Sequence, residues 1–249
     1  MLTNCLTKLA QCGYPHPGNT GVPAGTVLTS QGGVTISTAG TVLDGRLVNG
    51  SITVNAANVT IRNSKIVGRV QMGSVGSLTI QDTMIDCVTN TGTGLAGRNF
   101  TALRLHVLNC ENAFDVNGNN LIQDTYITGV REVAGGHGDG IQNYTPSGSS
   151  NIVIRHNTFD LVNPITSSII TWPAVGGLVV EFNFLMSGAY SLYCPEDPVS
   201  QATVRGNRFF PAKTGDPHSA AFGLTDECND PRITWSGNYR DNDLSAVNV

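Results

Sequence analysis

Short runs of alternating apolar and polar residues recur along nearly the whole chain. The clearest is NVTIRNSKIVG (Asn58–Gly68): a β-branched strand, a polar corner, then a second apolar pair. Variants follow at Ser77–Cys87, Thr101–Cys110, Asn120–Gly129, Asn151–Leu161, Leu178–Met186, Ala202–Phe210 and Arg232–Arg240. Aligning the apolar strand centres gives Ile61, Ile80, Leu103, Ile122, Ile154, Val180, Val204 and Trp235, spaced 19 to 32 residues apart. Alternation with period two is strand periodicity. A recurrence of about 20–25 residues marks a solenoid whose units bury their apolar faces only by stacking. Together they predict an all-β parallel β-helix.

Three residues beyond each centre stand Ser64, Thr83, His106, Thr125, Asn157, Asn183, Asn207 and Asn238. Coils stack about 4.8 Å apart, so this polar column is expected to form a hydrogen-bonded ladder at a bend that Asn tolerates well. A second aligned series is GRVQMG, NAFDVNG, GDGIQNY, SSIITWP, YSLYCPE and AAFGLTD. With Phe114, Val116, Ile141 and Asn143 inward, Asp115, Asn117, Gln142 and Tyr144 point out, and Trp172, Tyr193 and Asp226 continue that face. The expectation is a shallow groove of carboxylates, amides and aromatic rings, the kind of surface that binds sugars. Trp172 reads equally well as a core or end-covering residue.

With these repeats the chain resembles the right-handed parallel β-helix proteins of the pectin-lyase-like superfamily, over approximately Gly33 to Tyr239. Many members of that superfamily are polysaccharide lyases or glycoside hydrolases, and others are virus tailspikes or surface adhesins. The resemblance implies an extracellular, carbohydrate-active protein, with a noncatalytic glycan-binding or structural surface protein as the alternative. Polygalacturonases carry a Gly-His-Gly, found here at Gly136–Gly138, but their Asp-Asp and Arg-Ile-Lys motifs are missing, so their mechanism is not transferred.

Composition narrows this reading. Only 13% of residues are charged and the net charge is −4, with no basic run. Nucleic-acid binding needs a clustered positive stripe and is set aside. No stretch approaches the roughly 20 apolar residues of a membrane span, and Met1–Leu9 lacks the apolar core of a secretion signal. Of the six cysteines, Cys87 and Cys110 fall at matching places in adjacent units, and Cys194 and Cys228 fall in neighbouring ones. Disulfides and an oxidising compartment are expected. Cys5 and Cys12 remain for a third bridge, yet seven helical residues span about 10.5 Å. A helix at Met1–Gly13 must therefore break between them if the bond forms. Residues 1–33 are assigned as an N-terminal cap and lead-in packed along the first coil, and residues 34–249 as the β-helix domain.

The longest interval, from Ile122 to Ile154, holds GVREVAGGHGDGIQNYTPSGSS. Its surplus residues form a loop bringing Arg131, Glu132, His137 and Asp139 together, and loops on rigid scaffolds carry function. His137 and Asp139 are the candidate proton-transfer groups. A hydrolase would pair Asp139 with Asp115. A uronate lyase would use His137 as base and Arg131 to neutralise the substrate carboxylate. No cofactor or bound metal is required, with Ca²⁺ at Asp139 the one alternative. His218 is a second candidate, Glu196 and Asp197 read as a solvated acidic turn that could also rim the groove, and His106 and His156 are assigned to the corner column.

Overall fold

The computed structural model describes residues 1–88, 91–143, 149–172, 175–196 and 200–249. Its strands are all short, and every pairing between them is parallel except one isolated antiparallel bridge, Tyr239 with Ala246. Each coil contributes one strand to each of three faces, and the chain forms a parallel β-helix.

The first face holds nine strands among the described residues, from Val42–Asp44 to Ile233–Ser236. Its central column runs Ile61, Ile80, Ala102, Ile122, Ile154, Val180, Val204, Trp235. Apolar spacing points to Leu103 where the fold uses Ala102. Leu103 is half-buried with its side chain outward, while Ala102 is fully buried in the inward place. The ladder residue of that coil is accordingly Leu105, and His106 opens the next strand, beside Met84 and Tyr126.

Seven polar residues of the ladder are fully or nearly fully buried. Asn157, Asn183 and Asn207 each donate from Nδ2 to the Oδ1 of the next Asn at 3.0 Å. Each also donates to a first-face carbonyl, those of Ile122, Ile154 and Val180, at 2.9 to 3.0 Å. A buried polar group is tolerable only when its hydrogen bonds are made, and stacking identical amides makes them coil after coil. The residue before each ladder position has positive φ: Asn63, Asp82, Arg104, Asp124, His156, Phe182, Gly206 and Gly237. This left-handed corner turns the chain from the first face to the second.

The second face runs from the start of Arg46–Val54 through Lys65–Val67, Met84–Asp86, His106–Leu108, Tyr126–Thr128 and Thr158–Asp160 to Tyr239–Arg240. The third comprises the end of Arg46–Val54, then Val70–Met72, Thr93–Gly97, Asn112–Val116, Asp139–Asn143, Ser167–Thr171, Tyr190–Tyr193 and Gly223–Asp226. Isoleucine, valine, leucine and phenylalanine from all three faces fill a single core along the axis.

All six cysteines are paired: Cys5–Cys12, Cys87–Cys110 and Cys194–Cys228, with Cα separations of 5.8, 5.0 and 5.0 Å. The first is reached as the geometry requires. A 3-10 turn (Cys5–Lys8) breaks at Lys8 before a single α-turn (Leu9–Cys12), which Gly13 ends at φ 78°. This short N-terminal helix seats on the flank of the last coils rather than on the end of the first. There the Cys5 N–H donates to Asp241 at 2.9 Å, and Cys5 packs with Tyr14, Phe184, Met186 and Phe210. The lead-in then runs back along the second face. The Thr158 hydroxyl donates to the Pro15 carbonyl at 2.8 Å and the Gly21 N–H to that of Arg104 at 2.9 Å, before Thr29–Ile36 joins the first coil beside Arg46–Val54. The lead-in covers His106, whose buried ring is held below its ordinary pKa by loss of solvent.

Candidate functional site

The outward column of the third face is in register from Gln71 through Ala96, Asp115, Gln142, Ile170 and Tyr193 to Asp226. Inward of it Phe114, Val116, Ile141 and Asn143 are fully buried, and Asp115, Asn117 and Gln142 are half-exposed. The alternation expected from the sequence therefore holds over these two coils. Tyr144 and Asp197 lie outside the described residues.

At the upper end of this column a cleft of about 240 Å³ opens, lined by His137, Thr166, Ile170, Trp172, Tyr193, Cys194, Glu196, Asp226 and Glu227. Ile170 is its buried floor, 5% exposed although it stands on the outward side of the strand. Trp172 is 37% exposed and so is not a core residue. Tyr193 stacks edge-on with Tyr190 at 5.2 Å, and Tyr190 meets the exposed Phe222 at 6.0 Å, which extends an aromatic surface away from the cleft.

The carboxylate wall is clamped covalently. Cys194 and Cys228 join two coils, the Cys194 N–H donates to the Asp226 carbonyl at 3.0 Å, and Glu196 and Asp226 each lie two residues from a bridged cysteine. His137 forms the opposite rim. It is exposed, and its Nδ1 lies 3.1 Å from the Thr166 hydroxyl. Thr166, Ile170 and Glu227 escape a reading of the sequence alone. Thr166 is the residue just before its strand, and the register that sets it beside His137 emerges only when the coils are stacked.

The catalytic group expected from the sequence is split apart. Asp139 is fully buried and faces inward, paired in register with Asn112 and Ser167 rather than with Asp115. Asp115 is three residues further along the strand direction and on the outward side, so the two carboxyls do not flank a common space. His137–Gly138 leads directly into strand Asp139–Asn143, whose first three residues are all buried, so the chain passes from the exposed rim into the coil between His137 and Asp139. One Asp139 oxygen accepts the Ser167 hydroxyl at 2.5 Å, while Oδ2 has no hydrogen-bond partner. Burial pushes its carboxyl up to about 7, Glu132 and Glu111 add to the rise, and the Ser167 hydrogen bond opposes it. Burial likewise raises Asp115 above the usual carboxylate range.

Arg131 does not line the cleft. Its N–H donates to the Cys110 carbonyl at 3.0 Å, and Gly136 lies against Glu111, so this end of the loop folds back over the preceding coil while His137 reaches the following one. His218 lies on the other flank between Asp216 (3.0 Å) and Asp160 (3.8 Å). His156 occupies a corner, bonded to Asp124 at 2.6 Å and to the Gly13 carbonyl at 2.8 Å. Among the described residues no three His, Cys, Asp or Glu side chains are gathered to hold a metal ion, and no helix is long and apolar enough to cross a membrane.

Fold and cleft together define a parallel β-helix protein with an aromatic, carboxylate-lined cleft on one flank. No protein-family model, curated protein or solved structure was found to match the chain.

Proposed function

We propose that the protein is a secreted, pectin-lyase-like β-helix that binds a polysaccharide along its third face and hydrolyses it in the cleft. The observation that carries this reading is the meeting of Trp172 and Tyr193 with Asp226, Glu196 and Glu227 around one opening. Exposed aromatic rings offer flat apolar surfaces to sugar rings. Carboxylates supply the acid, base or nucleophile of glycoside hydrolysis, and their separation around the scissile bond sets the stereochemical outcome. Asp226 stands in the same outward column as Tyr193 and is the preferred nucleophile or base. Glu196 or Glu227 supplies the second carboxyl, and His137 hydrogen-bonds the chain at the rim.

Hydrolysis is favoured over elimination because a uronate lyase needs a cation at the substrate carboxylate. Among the described residues no Lys or Arg lines the cleft. Three disulfides support an oxidising, extracellular setting.

The test is a panel of neutral, amino and uronic-acid polysaccharides, read by reducing ends and by absorbance of unsaturated products. New reducing ends without unsaturated products, lost in Asp226→Asn by at least about 100-fold, are expected. Unsaturated products would overturn hydrolysis. Binding without cleavage would leave a noncatalytic glycan-binding protein.

A further inference from the structure

Building on the glycan reading of the cleft, we infer that its ligand is a cationic amino-sugar polymer, one whose rings carry free ammonium groups. The nine residues around the opening include three carboxylates, those of Glu196, Asp226 and Glu227, and no Lys or Arg.

Seven of the fourteen basic side chains are engaged with carboxylates that do not line the cleft. Arg62, Arg104, Arg155, Arg205, Arg208, Lys213 and Arg232 pair with Asp44, Asp82, Glu181, Glu181, Asp241, Asp216 and Asp230. Arg131, on the loop that carries His137, does not line the cleft, and its backbone N–H is bonded to the Cys110 carbonyl of the preceding coil. Glu132 and Glu111 stand beside that loop and near enough to Asp139 to raise it.

A concave site lined by one sign of charge and walled by apolar groups focuses its field on the ligand. Ile170, Trp172 and Tyr193 supply those walls. A uronic-acid chain entering here would meet like charge on every ring, and a neutral chain would gain only stacking and hydroxyl contacts. An ammonium group on a stacked ring adds charge-assisted hydrogen bonds to carboxylates, which are about twice as strong as neutral ones. Tyr190 and Phe222 continue the aromatic surface past the cleft, so the extra rings of a polymer have somewhere to lie.

Calorimetric titration with matched oligomers of glucosamine, N-acetylglucosamine, glucose and galacturonic acid, at low and high salt, tests this. The Asp226→Asn variant is used if cleavage interferes. The expected result is that the glucosamine oligomer binds at least about tenfold tighter than the N-acetylated one at low salt, an advantage that shrinks as salt screens the carboxylates. Glu196→Gln with Glu227→Gln should lower that ratio towards one, and Trp172→Ala should weaken every sugar. Equal or tighter binding of neutral or uronate oligomers overturns the amino-sugar assignment while leaving the glycan reading standing. Failure of all four to bind overturns both. Oligolysine binding as tightly as the glucosamine oligomer, and unaffected by Trp172→Ala, would show a general cation patch and overturn the assignment.

Discussion

Asp139 is expected to make the protein less stable as pH rises through the neutral range. Its carboxyl is fully buried, has one hydrogen bond, and binds its proton up to about pH 7, whereas the unfolded chain gives that proton up near the ordinary value of 3.8. Between these values the native state holds more protons than the unfolded state, so stability falls with increasing pH. Each tenfold difference in proton affinity between the two states is worth about 1.36 kcal/mol. The penalty is therefore absent below the unfolded value and reaches about 4 kcal/mol once pH exceeds the folded one. Between about pH 5 and pH 8.5 the part attributable to this group is about 3 kcal/mol.

Asp139→Asn keeps an oxygen for the Ser167 hydroxyl and removes the ionisation. Urea unfolding of both proteins across that pH range measures the difference. The rest of the chain is common to both proteins, so the quantity of interest is the stability of the Asp139→Asn variant minus that of the parent. It is expected to grow with pH and to level off above about pH 8. A difference that stays constant with pH would refute the assignment of a protonated, inward-facing Asp139. If Asp139 were instead an ionised catalytic group open to the groove, the substitution would abolish glycan cleavage and leave the pH profile of stability unchanged.

Four further outcomes are expected. Asn183→Ala removes the acceptor for the Asn157 N–H and amide and the donor to the Ile154 carbonyl, so chemical denaturation should show a loss of about 3–5 kcal/mol. Asn49→Ala, which removes one exposed side-chain bond to Ser30, should stay within about 0.5 kcal/mol. Replacing Cys194 and Cys228 by Ser opens a 34-residue loop, worth about 3–4 kcal/mol of chain entropy, and should weaken glycan binding as the carboxylate wall loosens. The same change at Cys87 and Cys110, separated by 23 residues and away from the cleft, should lower the melting temperature comparably but leave affinity within about twofold.

The fold is legible in the sequence because its two strongest signals are periodic. A buried amide must repeat at every coil to satisfy its neighbour, so Asn157, Asn183, Asn207 and Asn238 stand out as a column from their spacing alone. Pattern reading fails where the chemistry is not periodic. Ala102 is less conspicuous than Leu103, yet the smaller residue takes the inward place in the register of the first face. The strand Thr93–Gly97, TGLAG, has too little apolar contrast to be recognised beside its neighbours. The lead-in residues 14–28 have no alternating pattern, and their path is set by contacts with coils far away in sequence, such as Thr158 with Pro15.

The candidate site is legible only in part, for a reason that also explains where it lies. Alternation correctly assigns Asp115, Gln142, Tyr193 and Asp226 to the outer surface, because side-chain parity follows from the strand itself. It misreads HGDG as one functional unit, since nothing local marks the boundary between loop residue His137 and strand residue Asp139. A regular solenoid face is nearly flat and cannot enclose a ligand unaided. Concavity requires chain beyond the repeat, and here it comes from the segments around His137, Glu196 and Glu227, which rise beside a column that changes from Gln71 and Ala96 to Ile170, Tyr193 and Asp226. The Cys194–Cys228 bridge joins two of these segments at the coils they leave. Regular coils thus determine which side chains face outward, while the interruptions determine which of them share a cleft. Opening the two bridges separately discriminates between these roles: stability should follow loop length at either bridge, and binding should follow only the bridge that holds the interruptions together.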